Sequence, residues 1–256
     1  MDLGLADRVY LVTGGGRGLG RATADVLVAE GARVVLSGRT EDTLAAALEE
    51  LGDPAHRDRA AYVVGDNADP DLPRRLIATA RERWGRIDGA LVSVGGPPTG
   101  TVTATTDEQW TTAFGSVFLG AVRVAREVAA ELGAGGSIAF VLSTSVKGPL
   151  TEMAISNGLR PGLAMIAKQL ADELGPRGIR VNGLLPGRIG TERVAELDAL
   201  HDDPGAARAR AAQGIPLRRD GEPSEFGRAA AFLLSPAASF VSGALLPVDG
   251  GSLRAL

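Results

Sequence analysis

The sequence predicts an α/β fold, a doubly wound parallel sheet flanked by helices on both faces. Short apolar runs alternate with longer helical patterns along the 256 residues, an order typical of βαβ units around a parallel sheet. The run Val9-Tyr10-Leu11-Val12 is apolar at every position, which indicates a central strand buried on both faces. No shift in composition marks a boundary, so we expect a single domain over residues 1–256.

The predicted elements follow one another in this alternating order. The strands are Arg8–Thr13, Arg33–Ser37, Ala60–Gly65, Asp88–Val94, Ser137–Ser143, Ile179–Leu184 and Ala244–Val248. The helices are Gly18–Glu30, Glu41–Leu51, Asp71–Trp84, Asp107–Leu132 and Ser156–Gly175. In the last helix apolar residues recur every three or four positions from Leu159 to Leu174, which predicts one buried face. The polar segment Arg188–Arg219 lacks such a pattern, and we expect a flexible flap over the site.

Composition and charge exclude several classes of function. The formal net charge is −4, from 27 Lys and Arg against 31 Asp and Glu, which argues against general affinity for nucleic acid or anionic membranes. Cysteine is absent, so disulfides and thiolate metal sites are excluded. His56 and His201 lie in polar stretches, and we expect solvated side chains and no metal site. The first residues lack a signal-peptide pattern and no apolar run could span a bilayer, so we expect a cytoplasmic protein. We expect its partner to be a small-molecule substrate.

A glycine-rich turn follows the first predicted strand. It runs Thr13-Gly14-Gly15-Gly16-Arg17-Gly18-Leu19-Gly20 and leads directly into the first helix. Glycines let the backbone approach a pyrophosphate closely, and the helix N-terminus supplies amide donors. An open α/β sheet binds nucleotides at this position, so we predict a Rossmann-like dinucleotide site. Its members are Gly14, Gly16, Arg17, Gly18, Leu19 and Gly20.

The end of the second predicted strand distinguishes NAD from NADP(H). An NAD site needs a carboxylate there to bind the ribose 2′-hydroxyl, but this strand ends Ser37-Gly38-Arg39-Thr40. Arg39, together with Arg17 in the glycine turn, offers two guanidinium groups that suit a 2′-phosphate. We therefore predict NADP(H) as the cofactor and include Ser37 and Thr40 in its site.

The spacing Gly-x-x-x-Gly-x-Gly directly after Thr13 resembles that of the short-chain dehydrogenase/reductase family. Arg177-Gly178-Ile179-Arg180-Val181-Asn182 and Val248-Asp249-Gly250-Gly251 are similar to family motifs as well, so the resemblance covers nearly the whole chain. It implies a homodimer or homotetramer assembled through the long helices near Asp107–Leu132 and Ser156–Gly175.

The resemblance implies further cofactor contacts. Asp66-Asn67 is similar to the family's adenine contact, and Pro186-Gly187 followed by Ile189 and Thr191 is similar to its nicotinamide-side loop. Gly95 lies in Ser93-Val94-Gly95-Gly96, where the family usually has Asn-Asn-Ala-Gly. The implied contact residues are Asp66, Asn67, Gly95, Pro186, Gly187, Ile189 and Thr191.

The family's chemistry depends on an Asn-Ser-Tyr-Lys set. Tyrosine transfers the proton, lysine lowers the tyrosine pKa and holds the ribose, serine orients the substrate oxygen, and asparagine supports a water relay. Ser143 matches the serine. The register fixed by residues 171–178 places Ser156 at the tyrosine, Arg160 at the lysine and Val117 at the asparagine. Ser143, Ser156 and Arg160 are thus the candidate catalytic residues, and Arg160 is also a candidate cofactor contact.

These replacements remove the ordinary proton relay. A phenol has a pKa near about 10 that a neighbouring cation can lower, whereas the Ser156 hydroxyl is a far weaker acid. Arg160 can hold a ribose but cannot shuttle a proton. The chain's two tyrosines, Tyr10 and Tyr62, lie in predicted strands and are expected to pack in the core. Loss of a general acid typically costs about 10²–10⁴ in rate.

Three functions stay open on these residues. In an NADP(H)-dependent oxidoreductase, Ser143 and Ser156 would bind the oxygen of a small carbonyl, imine or enone substrate, Arg160 would hold the cofactor or polarise the carbonyl, and water or Glu152 would supply the proton. A catalytically inactive NADP(H)-binding sensor or partner subunit would explain the kept glycine turn and the lost relay. A non-redox dehydratase or isomerase could use Ser143. We favour the oxidoreductase because Ser143, Ser156, Asn157 and Arg160 keep the pocket polar.

Overall fold

The computed structural model describes residues 2–51 and 58–255. Its strands are β1 (Val9–Val12), β2 (Arg33–Gly38), β3 (Ala60–Val64), β4 (Gly89–Val92), β5 (Ser137–Val141), β6 (Arg180–Pro186) and β7 (Leu245–Val248). They form one sheet in the order β3-β2-β1-β4-β5-β6-β7, and every neighbouring pair is parallel. The chain winds outward from β1 in both directions, so the predicted doubly wound sheet is confirmed. The order reverses between β1 and β4, where open α/β sheets form a ligand crevice.

Helices cover both faces of the sheet. They are α1 (Gly18–Ala29), α2 (Glu41–Glu50), α3 (Leu72–Trp84), α4 (Asp107–Ala113), α5 (Gly120–Glu131), α6 (Ala154–Leu174), α7 (Glu192–Asp198), α8 (Pro204–Gly214) and α9 (Pro223–Leu234). Val9 and Leu11 of β1 pack with α3, α5 and α6, while Tyr10 and Val12 pack with α1, α2 and α9. This alternation along one strand produces the two separate cores that the all-apolar run indicated.

The long helix predicted over Asp107–Leu132 is interrupted. A π-helical segment, Phe114–Leu119, separates α4 from α5. At Gly120 a Cβ atom would lie 2.3 Å from the carbonyl oxygen of Asn67, so only glycine permits this approach of helix and loop. An apolar periodicity cannot reveal such a local change in winding, which often accompanies functional sites. Val117 lies in this segment and is buried.

Helix α9 fills a region for which the sequence pattern predicted no element, between residues 219 and 244. Its N-terminus has Pro223 at the first position and a capping box of Glu222 and Glu225, in place of the usual Ser or Thr cap. Gly227 lets α9 cross α1 closely, since a Cβ there would lie 2.4 Å from the Ala22 carbonyl oxygen. Arg180 binds the other end of α9, donating to the carbonyl oxygens of Leu233 at 2.8 Å and Ser235 at 2.9 Å.

Within the part of the chain that the structure describes, no helix is both long enough and apolar enough to cross a bilayer.

Candidate active site at the carboxyl edge of the sheet

The glycine turn forms a tight cradle above β1 and β2. Gly14 and Gly18 have φ angles of +60° and +58°, which disfavour residues with a side chain. A Cβ at Gly20 would lie 2.3 Å from the Gly14 carbonyl oxygen, so the first turn of α1 rests directly on the loop. Arg17, at the N-cap of α1, makes no side-chain capping hydrogen bond. The shape and the free helix N-terminus fit a pyrophosphate group.

Hydrogen bonds join the ends of β1 and β4 beside this cradle. Thr13 Oγ1 donates to the Ser93 carbonyl oxygen at 2.6 Å and accepts from the Ser93 amide at 2.8 Å. Asn67 Nδ2 donates to the same carbonyl oxygen at 3.1 Å. Asn67 is buried, while Asp66 is only partly buried at the surface. A Cβ at Gly95 would meet no atom within 4 Å, so the loop after β4 is open beside the cleft.

Arg17 and Arg39 are exposed at the turn and at the end of β2. Their side chains are 60% and 74% exposed, and each faces one carboxylate: Arg17 Nη1 lies 3.7 Å from Glu196 Oε1, and Arg39 Nε lies 4.0 Å from Asp66 Oδ2. Surface pairs of this kind contribute little stability. Both guanidinium groups are therefore accessible to an anionic ligand.

Ser37 and Thr40 differ in their access to this region. Ser37 is fully buried and its Oγ has no hydrogen-bond partner among the described residues. Its side chain points into the core and does not line the cleft, contrary to its expected place in the cofactor site. Its backbone carbonyl instead accepts from the Gly15 amide at 2.9 Å, which holds the glycine turn on β2. Thr40 is exposed at the N-cap of α2.

Hydrogen bonds link two serines after β5, Ser143 and Ser145, to Ser156 in the first turn of α6. Ser143 Oγ accepts from the Ser145 amide at 3.1 Å and so begins a short 3-10 turn. Ser145 Oγ and Ser156 Oγ are 3.3 Å apart, and both residues are buried. The sequence pattern did not single out Ser145, although it is the second serine of the Ser143-Thr144-Ser145 run. The hydroxyl that contacts Ser156 is therefore that of Ser145, and the backbone amide of Ser145 in turn donates to Ser143.

Arg160 lies one helical turn after Ser156 on α6 and is 5% exposed. Its Nη1 donates to the carbonyl oxygen of Val141 at the end of β5. Among the described residues, no carboxylate forms an ion pair with it. Burial lowers the pKa of Arg160 to about 10, so it stays protonated at neutral pH. A desolvated cation consequently lies at the end of β5, on the residue one helical turn after Ser156.

The other polar residues near this cluster have different partners. Asn157 is bound to Leu150, donating from Nδ2 to its carbonyl oxygen at 2.8 Å and accepting its amide at Oδ1 at 3.0 Å. These two hydrogen bonds fix the loop before α6. Lys147 and Glu152 in that loop are exposed, in line with solvated loop charges.

Neither tyrosine approaches the serine cluster. Tyr10 is buried in β1 and donates to the Leu234 carbonyl oxygen at 3.3 Å, and burial raises the pKa of its hydroxyl well above the ordinary value. Tyr62 is half-buried in β3 and donates to Glu41 Oε1 at 3.2 Å. The expected core packing holds fully for Tyr10 and partly for Tyr62.

Residues 188–219, expected to be an irregular flap, contain α7 and α8. Arg188, which follows β6, donates to Asp198 Oδ2 at the end of α7 at 2.5 Å. It also donates to Asp220 Oδ1, which follows α8, at 2.7 Å. Arg208 Nε lies 3.1 Å from the other Asp220 oxygen. Both aspartates are buried. This ionic cluster holds the segment against the sheet in a defined position.

Helix α7 contacts both walls of the cleft. The side chains of Thr191 and Glu192 face Gly18, 3.8 Å from the position that an added Cβ would take, which is an ordinary van der Waals distance. Arg193 Nη2 donates to the Pro97 carbonyl oxygen at 3.0 Å on the opposite wall.

The segment before α7 is packed tightly. At Gly187 a Cβ would lie 2.6 Å from Cβ of Asp249, Ile189 is buried, and Pro186 ends β6. The predicted loop Pro186–Thr191 thus lies at the same edge of the sheet as the glycine turn.

Solvated side chains are expected at both histidines. His201 is exposed, and His56 lies outside the described residues. Within residues 2–51 and 58–255, no three His, Asp or Glu side chains are grouped so that they could hold a metal ion.

Comparison with known proteins shows a match along almost the entire chain. A family model described as enoyl-(acyl carrier protein) reductase matches residues 14–252. The A-factor type gamma-butyrolactone 1'-reductase of Streptomyces virginiae is 36% identical over 256 residues, covering 96% of each chain. Two solved structures align over 100% of both chains at 30% identity and a TM-score of 0.91. They are a short-chain dehydrogenase/reductase from Brucella melitensis and the L-sorbose reductase from Gluconobacter frateurii, complexed with NADPH and L-sorbose.

Removing the cation of the ionic cluster should loosen the α7–α8 segment. In Arg188→Met, Asp198 would be left buried without its cation and Asp220 would keep only Arg208, and an unsatisfied buried charge costs more than the pair contributes. We expect native-state proteolysis near residues 199–203 to become about tenfold faster. The protease cleaves the locally opened segment, and a lower free energy of local opening raises the population of that state. Mass spectrometry of the fragments measures this. Arg210→Met, which changes an exposed arginine of α8, is the control. Equal cleavage of Arg188→Met and wild type would contradict the role of the cluster.

Proposed function

This chain belongs to the short-chain dehydrogenase/reductase family, and on that premise we propose that it is an NADP(H)-dependent oxidoreductase with an altered active site. It reduces a small carbonyl, imine or enone substrate. The observation that carries the cofactor choice is the pair of exposed arginines, Arg17 and Arg39, beside Gly38. A carboxylate at Gly38 would bind a ribose hydroxyl and repel a phosphate, and none is there.

The cradle and the neighbouring loops support this cofactor. The α1 N-terminus and Gly14–Gly20 would hold the pyrophosphate, the two arginines the 2′-phosphate, and the loop at Gly95 the nicotinamide half. When bound, NADPH supplies a hydride. The L-sorbose reductase of similar fold has NADPH bound, which is consistent with such a site.

We expect Arg17→Ala and Arg39→Ala each to weaken NADPH binding about tenfold while leaving NADH binding nearly unchanged. Each loses one charge-assisted interaction with the 2′-phosphate, which NADH lacks. Nicotinamide fluorescence titration measures both affinities. Arg74→Ala, an exposed arginine of α3, is the matched control and should bind NADPH as wild type does. A wild type that binds NADH as tightly as NADPH would refute the cofactor assignment.

The catalytic part of the proposal is that Ser156 and Arg160 occupy the positions of the family's tyrosine and lysine. It is supported by the place of both residues on one face of α6 and by the distant locations of Tyr10 and Tyr62. The serine hydroxyls would hold the substrate oxygen by hydrogen bonds. Arg160 would hold the ribose and maintain a positive potential under the oxygen.

Turnover tests this assignment. We expect the wild type to consume NADPH with at least one member of a panel of carbonyls, imines and enones, measured by absorbance at the nicotinamide band. The double variant Ser156→Tyr/Arg160→Lys should reduce simple carbonyls about 10²-fold or more faster than wild type, because it restores a general acid. Turnover by the double variant alone would instead identify a natural NADP(H)-binding sensor or partner subunit.

We further propose a homodimer or homotetramer formed through the π-helical segment and α6. Phe114, Leu119 and Met165 on these elements are 46%, 40% and 71% exposed, although large apolar side chains favour burial. Phe114 stacks on Phe118 with ring centroids 5.3 Å apart. The aromatic pair and Met165 provide apolar area that a second copy would cover.

Light scattering after size-exclusion chromatography should therefore give the mass of a dimer or tetramer. We expect Met165→Asp to shift the mass toward the monomer, since a charge would be buried without a partner. Leu200→Asp, a charge at an equally exposed leucine after α7, is the control and should leave the mass unchanged. A monomeric wild type would contradict the proposal.

A further inference from the structure

Two carboxylates of helix α7 face the glycine turn. Glu192 and Glu196 are four residues apart in the sequence, so they share one face of this helix. Glu192 Oε2 is 3.8 Å from the position that an added Cβ would take at Gly18, the first residue of α1. Glu196 Oε1 is 3.7 Å from Arg17 Nη1. This acidic face of α7, Glu192 and Glu196, is directed at the region where we place the phosphate groups of the cofactor.

The N-terminus of α1 has no acidic residue of its own. Its first turn contains neither Asp nor Glu, and Arg17 at the N-cap makes no side-chain capping hydrogen bond. The amide groups at a helix N-terminus carry partial positive charge and attract anions. The Glu192 carboxylate therefore brings negative charge from another helix to a position that would also suit a phosphate group.

Glu196 contacts the guanidinium group that we assign to the 2′-phosphate. The Glu196 side chain is 49% exposed and can leave Arg17 without exposing a buried surface. Its second carboxylate oxygen, Oε2, lies 3.3 Å from Arg193 Nη1 on the same helix. A carboxylate and a phosphate bound to one guanidinium group repel each other, because both are anions a few ångströms apart. Arg17 therefore binds either group better when the other is absent.

Arg193 holds the other side of α7 against the loop after β4. Its Nη2 donates to the Pro97 carbonyl oxygen at 3.0 Å. Its Nε lies 3.1 Å from the position that an added Cβ would take at Gly96, so the guanidinium group occupies the space that a side chain would need. This contact keeps α7 across the cleft with its acidic face toward the glycine turn.

We propose that the acidic face of α7 is an autoinhibitory contact that competes with the phosphate groups of NADPH. Glu192 occupies the region of the pyrophosphate at the N-terminus of α1, and Glu196 occupies that of the 2′-phosphate at Arg17. Cofactor binding separates these carboxylates from the glycine turn. The affinity for NADPH is thereby lowered more than the affinity for NADH, which has no 2′-phosphate. This inference rests on the proposed function, because it assumes the same cofactor site.

The affinities of two adenosine nucleotides test this competition without turnover. Adenosine 2′,5′-bisphosphate carries the 2′-phosphate and adenosine 5′-monophosphate lacks it, and isothermal titration calorimetry measures the binding of each. We expect Glu196→Gln to tighten binding of the bisphosphate about fivefold, the factor given by two unit charges about 4 Å apart in water. Binding of the monophosphate should stay nearly unchanged. Glu192→Gln should tighten the binding of both nucleotides, because Glu192 faces the N-terminus of α1.

Glu82→Gln is the matched control, since it removes an exposed carboxylate from the last turn of α3, at the opposite edge of the sheet. It should leave both affinities unchanged. In an Arg17→Ala background, Glu196→Gln should have no effect, because the shared guanidinium group is gone. Glu196→Lys is a second variant and should tighten bisphosphate binding further. Bisphosphate binding that Glu196→Gln and Glu196→Lys leave unchanged would overturn the proposal, and so would an equal gain in Glu82→Gln.

Titration with NADPH and NADH separates this inference from the function on which it rests. We expect the double variant Glu192→Gln/Glu196→Gln to gain more affinity for NADPH than for NADH. A wild type that binds NADPH tightly, with no gain in the double variant, would overturn the competition and leave the cofactor assignment intact. A wild type that binds neither NADPH nor the bisphosphate would refute the proposed function itself.

Discussion

The paired hydrogen bonds between Thr13 and Ser93 fix the geometry on which the candidate site depends. They join β1 to the end of β4 at the point where the strand order reverses. Asn67 adds a third contact from the loop after β3. With these three chain segments held together, the glycine turn can fold over β1 and the loop at Gly95 stays open on the other side. The cleft is thus a product of sheet topology, closed at its base by buried polar groups whose bonding capacity is used.

Arg160, a proposed site residue, shows how such a residue can conflict with stability. A guanidinium group under the sheet edge has lost most of its hydration, and a single carbonyl oxygen does not replace that hydration. Arg180 is the useful contrast, since it is also buried but binds several carbonyl oxygens at the end of α9. The bonds of Arg180 explain its burial structurally. The single bond of Arg160 explains less of its burial, which is consistent with its proposed role as a cofactor contact.

The sequence predicted the features that follow from periodicity and local chemistry. The seven strands, the four helices α1, α2, α3 and α6, and the glycine turn were identifiable because apolar spacing and glycine geometry act over short distances. Helix α9 was missed since its cap is glutamate and Gly227 breaks its apolar stripe. The π-helical segment and the contact of Ser145 with Ser156 depend on close approaches between distant parts of the chain. The burial of Ser37 depends on which face of β2 its side chain occupies, and a continuous apolar strand does not reveal that.

Helix α7 connects the proposed phosphate site to the opposite wall of the cleft. Glu196 faces Arg17 across the mouth of the cleft, and three residues earlier Arg193 is anchored on the far wall. A carboxylate and a phosphate compete for the same guanidinium group. A cofactor phosphate at Arg17, as proposed, would therefore compete with Glu196, although an exposed pair of this kind adds little stability. The same seven-residue helix would then lie between the proposed phosphate site and the far wall that Arg193 contacts.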